Sequence, residues 1–194
     1  AVLLPGASRA EDSERLKVVA TIFPLFDFCR EVGGGKVEVS MLIPPGIESH
    51  SFEPRPQDII RLHKADLVVW TGDCMEPWME EILDGLSDKS KNILDASKGV
   101  DLMSDGDKVH GGDSGDADKG HVCGDKSCGH SHDGDVDPHY WLDFANCIKI
   151  VGMIESALSK ISPGDAEYFK SRGEAYAKRL GELDRKFKDA LEKY

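Results

Sequence analysis

Leu16-Lys17-Val18-Val19-Ala20-Thr21-Ile22 is a nearly unbroken apolar, β-branched run, and Phe23-Pro24 stops it. A strand that alternates apolar and polar residues is wet on one face. A strand without alternation is buried on both faces, as in a parallel sheet covered by helices. Asp66-Leu67-Val68-Val69-Trp70 repeats the unbroken pattern. Between these two runs, residues 25–32 read as a helix ending at Gly33-Gly34-Gly35, and 36–42 (KVEVSML) as a second, alternating strand. Pro44-Pro45-Gly46 opens a loop, and Ile59, Ile60 and Leu62 mark a short amphipathic helix from Pro56. Beyond Gly72, residues 76–86 predict a helix with Pro77 in its first turn, and Asn92-Ile93-Leu94-Asp95 a fourth strand. The order β-α-β-α-β-α-β defines the fold class as α/β, an open and mostly parallel sheet with helices on both faces. Ligands of such sheets bind outside the carboxyl ends of the strands. His50, in the loop after the second strand, stands where that rule points.

Outward from the sheet the composition changes twice. Residues 101–137 hold ten Asp, no Glu and three Lys, a net −7 out of −12 for the chain. With almost no apolar residue, residues 103–136 cannot offset their own ordering entropy and read as a mobile acidic surface loop. Order returns at Asp137. Phe144, Ile148, Val151, Ile154, Ala157, Leu158 and Ile161 recur at helical spacing, with Asp143 as N-cap. Ser162-Pro163-Gly164-Asp165 restarts a helix, Ser162 as N-cap and Pro163 first, and no stop signal precedes Tyr194. At full length that helix reaches roughly 45 Å, with an apolar face of Phe169, Tyr176, Leu180, Leu183, Phe187 and Leu191. A helix that overshoots its domain with an apolar stripe expects a partner, and a homodimer through that face would supply one.

Ala1-Val2-Leu3-Leu4-Pro5-Gly6 is short and apolar, and Ala7-Ser8-Arg9-Ala10 places small residues three and one before a cut after Ala10. Residues 1–10 therefore resemble a signal-peptide remnant, a boundary tail being the alternative, and export to a periplasmic or extracytoplasmic space is expected. The organisation expected is 1–10 remnant, 11–161 α/β lobe and 162–194 long linking helix. No apolar run is long enough to span a membrane. The acidic balance excludes nucleic acid, whose binding needs clustered Lys and Arg. Cys29, Cys74 and Cys147 sit in ordinary segments and read as small buried residues.

Metal chemistry is the one chemistry the side chains suggest. His139 follows Asp137-Pro138, is flanked by Tyr140 and Trp141, and precedes a helix. Pro138 restricts the backbone of Asp137 and its own φ, the aromatic neighbours would exclude water, and Asp137 could fix the imidazole tautomer from behind. A structural histidine at the helix entrance is the competing reading. His50 lies in a loop stiffened by Pro44, Pro45 and Pro54, against the alternative of exposed filler. Two histidines do not saturate zinc, so Glu48, Glu53, water or an absent residue would complete the site. His63 reads as surface or structural. His110, His121, Cys123, Cys128, His130 and His132 are crowded together without apolar residues to make a mini-core, so they suit a weak, flexible chelating patch better than a folded zinc finger. Cys123 and Cys128 as a disulfide is the alternative. No His-Glu-x-x-His, Gly-x-Ser-x-Gly or Gly-x-x-x-x-Gly-Lys motif occurs, which leaves an enzyme without machinery.

Strand 16–22 with Phe23-Pro24, Pro44-Pro45-Gly46 through His50-Ser51-Phe52-Glu53-Pro54, and Lys64-Ala65-Asp66-Leu67-Val68-Val69-Trp70-Thr71-Gly72 resemble the metal-specific solute-binding proteins of zinc and manganese ABC importers. So do Glu76-Pro77-Trp78, Asp95-Ala96-Ser97-Lys98-Gly99-Val100 and Asp137-Pro138-His139-Tyr140-Trp141-Leu142-Asp143. The resemblance implies two α/β lobes joined by one long helix, with the metal held between them. It implies that His50 and His139 are the ligands of the first lobe, that the second lobe, lying outside this sequence, supplies a histidine and a carboxylate, and that the bound ion passes to a membrane permease. Some zinc-specific relatives carry a carboxylate next to the first histidine. Here Ser49 holds that place, and Glu48 is one residue further back. The acidic, His-rich insertion is similar to that of zinc-specific members, which favours Zn2+ over Mn2+. A stand-alone zinc buffer acting through the loop, or a manganese receptor, are the alternatives.

Overall fold

A computed structural model describes residues 15–86, 92–103 and 136–192. Four strands, β1 (Leu16–Ala20), β2 (Val37–Met41), β3 (Leu67–Trp70) and β4 (Asn92–Asp95), form one wholly parallel sheet in the order β2-β1-β3-β4. Val18 pairs with Val39 on one side and Leu67 on the other. The helices are α1 (Phe23–Gly33), α2 (Pro56–Lys64), α3 (Met79–Gly85), α4 (Phe144–Ile161) and α5 (Ala166–Leu191).

Successive strand residues enter opposite cores, which is why the sequence shows no alternation. Val18, Ala20, Leu67 and Val69 join Leu25, Val32, Ile150, Ile154 and Phe169 of α1, α4 and α5. Val19, Val68 and Trp70 face the other way, onto Leu62 of α2 and Met79 of α3. Helices cover both faces, as expected. The chain runs from β1 outward to β2, then crosses back over β1 to β3 and β4. The strand order therefore reverses between β1 and β3, and the crevice at their carboxyl ends is where such a sheet binds ligands.

Three local expectations need correction. Helix α3 starts at Met79, not Glu76, because residues 72–76 curl into a turn in which Met75 and Glu76 both donate backbone N–H groups to the Gly72 carbonyl. Gly72 has φ 95°, and a Cβ there would lie 2.5 Å from the Ser97 hydroxyl, so glycine is required. That turn leaves Cys74 exposed, while Cys29 and Cys147 are buried as expected. Ser162 does not cap α5. Its hydroxyl donates to Asp165, a short helical turn over Pro163–Asp165 intervenes, and α5 begins at Ala166. Asp143 does cap α4, accepting from the Ala145 N–H at 2.8 Å.

Over its first half α5 is fastened. Phe169 and Leu180 are buried, Gly173 lets α4 approach so that Glu155 carbons lie 3.3 Å from where its Cβ would be, and Arg172 donates to the Glu31 carbonyl. Its last turns are bare, with Leu183, Phe187 and Leu191 exposed. Among the described residues no helix is long and apolar enough to cross a membrane.

Candidate metal centre

His50 stands in a turn that its own loop builds. Glu48 Oε1 accepts from the His50 N–H at 2.9 Å, and Oε2 accepts from the N–H and hydroxyl of Ser51, each at 2.9 Å. Those hydrogen bonds, the one from the His50 backbone first, hold the Glu48 carboxyl below its ordinary range. Both Glu48 oxygens are thus directed at the backbone of the loop, and zinc ligation by Glu48 would compete with those bonds. The carbonyl of buried Ser49 accepts from the Trp78 indole N–H at 2.8 Å, which anchors the loop one residue before His50.

His139 is set by Asp137. One carboxylate oxygen, Oδ1, accepts from the His139 backbone N–H at 2.9 Å and pairs with ring Nδ1 at 2.8 Å. These contacts, backbone first, pull the Asp137 carboxyl below its ordinary range. With Nδ1 donating to Asp137, the lone pair that remains is on Nε2, and that is the atom left for a metal. The expected enclosure by aromatic residues is not what the fold provides. Trp141 meets the ring edge-on at 5.4 Å, but the His139 side chain stays 46% exposed. Tyr140 turns inward, buried, and its hydroxyl donates to the Thr71 carbonyl at 2.9 Å. It holds the backbone beside His139 and leaves the ring open.

The two loops bring His50 and His139 together, with ring centres 6.4 Å apart and planes at 75°. Two imidazoles bound to one tetrahedral zinc through bonds of about 2.0–2.1 Å have ring centres about 5 Å apart, so a small inward motion would let the pair share an ion. Among the described residues, no group of three or more His, Cys, Asp or Glu could hold a metal ion. His63 is exposed on α2. His110, His121, Cys123, Cys128, His130 and His132 lie outside the described residues, as do residues 1–10.

Sequence reasoning missed Glu76 and Trp78. Glu76 is fully buried at the carboxyl ends of β1 and β3, where Oε2 accepts from the Thr71 N–H at 3.0 Å. Burial raises its pKa, opposed by the Thr21 and Thr71 hydroxyls and the Thr71 N–H. Glu76 Oε1, Thr21 Oγ1 and Thr71 Oγ1 are buried without a hydrogen bond of regular geometry. Glu76-Pro77-Trp78 carried the family resemblance, but nothing in that string declared a carboxylate turned inward or an indole reaching back to residue 49.

A parallel sheet with two histidine-bearing loops over its carboxyl edge defines a class of α/β lobe with a ligand crevice at the strand ends, and comparison with known proteins narrows it. The sequence model of the family described as zinc-uptake complex component A, periplasmic (ZnuA), matches residues 18–194, and the chain belongs to that family. It is 35% identical over 178 residues to the zinc-binding protein AdcA of Streptococcus pyogenes, covering 91% of this chain and 34% of that protein. To the high-affinity zinc uptake system protein ZnuA of Bacillus subtilis it is 30% identical over 180 residues, 93% of this chain and 53% of the relative. Its fold superposes on the crystal structure of the metal-dependent lipoprotein YcdH of Bacillus subtilis with a TM-score of 0.74 at 27% identity, covering 92% of this chain and 57% of that one. The chain thus spans about a third to just over half of these proteins.

Proposed function

We propose that this chain provides one lobe of a zinc receptor, in a periplasmic or extracytoplasmic space, that delivers the ion to the membrane permease of an ABC importer. His50 and His139 bind the ion as neutral imidazoles, with Asp137 fixing His139 so that Nε2 faces it. The observation that carries the reading is the pairing of these two imidazoles, ring centres 6.4 Å apart, over the carboxyl edge of the sheet. Nitrogen ligands favour zinc over manganese, which prefers oxygen. Because zinc sites use three or four protein ligands, groups beyond the described residues or water complete the coordination. Glu48 is available only if it leaves its loop. The role is capture and release, not catalysis. The exposed stripe of Leu183, Phe187 and Leu191 on α5 supports self-association as a homodimer.

Calorimetric titration of the 194-residue chain with zinc tests the site. His50→Ala and His139→Ala should each weaken binding at least tenfold, and removing residues 109–134 should spare it. Abolition by that removal, with the double histidine variant still binding tightly, would assign zinc to the acidic segment and sink the receptor reading.

A further inference from the structure

Both histidine loops are anchored to one short segment, residues 71–78, that crosses the carboxyl end of the sheet at the point where strand order reverses. Trp78 donates its indole N–H to the carbonyl of Ser49, the residue before His50, and its ring meets Phe52 of the same loop edge-on at 5.2 Å. At the other end of the segment, the Thr71 carbonyl receives the hydroxyl of Tyr140, the residue after His139. The segment itself is stiff. Met75 and Glu76 close their N–H groups onto Gly72, the Met79 N–H bonds the Glu76 carbonyl, and the Glu76 carboxylate turns back to the Thr71 N–H. Ser49, Thr71, Glu76 and Tyr140 are all buried, whereas both imidazoles are exposed. The aim of two exposed rings is therefore set by buried backbone contacts one residue away from each.

We propose that residues 71–78 form a common strut that fixes the spacing of the two ligands, Trp78 positioning His50 and Tyr140, through Thr71, positioning His139. Trp78 and Tyr140 are positioning residues: neither touches the ion. The inference rests on reading His50 and His139 as zinc ligands. Its physical basis is that two ligand loops anchored beside each ring need only a small closing motion and lose little entropy on binding, while a freed loop must be ordered by the ion itself.

Trp78→Phe keeps an aromatic ring against Phe52 and deletes the indole donor, and Tyr140→Phe deletes only the hydroxyl. Each should weaken zinc binding about fivefold, the scale of one hydrogen bond. In metal-free protein, Trp78→Phe should shift the ring resonances of His50 and leave those of His139, and Tyr140→Phe should do the reverse. Thermal melting, read in parallel, reports any general loosening. Unchanged affinity in both variants overturns the strut, as does a disturbance of both histidines alike by either change. If His50→Ala and His139→Ala leave zinc affinity intact, the premise about the ligands fails, whatever the ring resonances show.

Discussion

At the site, each residue's role is set by what holds it, and the sequence showed some of these partners and hid others. The string Asp137-Pro138-His139 made the carboxylate–imidazole pair legible because the partners are two residues apart. The structure adds that Oδ1 serves both the backbone and ring nitrogens of His139. Asp137→Asn should therefore weaken zinc binding about 10- to 100-fold, the usual effect of removing a group that orients a metal-bound histidine. The exposed position predicts no loss in melting temperature, and calorimetry beside melting checks both. Glu76 was not legible, since its partners Thr21 and Thr71 come together only when β1 and β3 pair. Its pKa is raised above the unfolded value of 4.5, mainly by burial. Below 4.5 the carboxyl is protonated in both states. As pH rises from there to the raised folded value, the unfolded carboxyl ionises while the buried one keeps its proton, so stability falls until the native group ionises too. Glu76→Gln keeps an acceptor for Thr71 and offers the two hydroxyls a donor. Its advantage over the parent should be small at pH 4, grow as pH rises, and level off above the folded pKa. Denaturant unfolding from pH 4 to 8 measures it, and a gap that shrinks with rising pH would sink the account.

Among the elements, those governed by local pattern matched their expectations, and those governed by distant contacts moved. The unbroken apolar runs of β1 and β3 told of a sheet covered on both faces, and the Asp143 cap told where α4 begins. Asp143→Ala should cost about 1 kcal/mol in denaturant unfolding, as the loss of an N-cap does. The start of α3 shifted because a carboxylate five residues from the Thr71 N–H drew the chain into a turn, a competition that no periodicity records. For α5 the apolar stripe was visible along its whole length, but only packing separates its halves. Phe169, fully buried in the core where α5 packs on α1 and α4, should cost about 3–5 kcal/mol as Ala. Phe187, 56% exposed in the single chain with a ring contact to Phe144 at 5.8 Å, should fall near the half kilocalorie of an ordinary surface change as Ser when the protein is dilute. Its cost should rise with protein concentration as the bare half of the helix is covered by a second copy, and a cost that stays at the surface value at every concentration would sink self-association through that face.

For the molecule as a whole, ligand number and ligand geometry point to different halves of the 105–143 stretch. Most of its histidines and both its cysteines lie outside the described residues, while the frame of the histidine pair closes without them. The Asp137 N–H donates to the Met103 carbonyl at 2.8 Å, so the two ends of the intervening segment already meet. Just before that junction, Asn146 of α4 holds Asp101 from both sides, accepting its N–H and donating to its carbonyl, each at 2.9 Å. Asn146 also donates to the Tyr140 carbonyl at 3.2 Å, which ties the junction to the His139 turn. Replacing residues 104–135 by a short Gly-Ser turn should then leave the fold and the His50–His139 pair in place, since connection length changes closure entropy by only about 0.6 kcal/mol per halving. The expected outcome is a melting temperature within a few degrees of the parent and zinc affinity at the histidine pair within about twofold. Any further equivalents of zinc that the parent binds at higher concentration should disappear with the acidic segment. Loss of the tight site together with the weak ones would show that residues 104–135 supply a ligand to it, and the pair at the sheet edge would then be half of a different site.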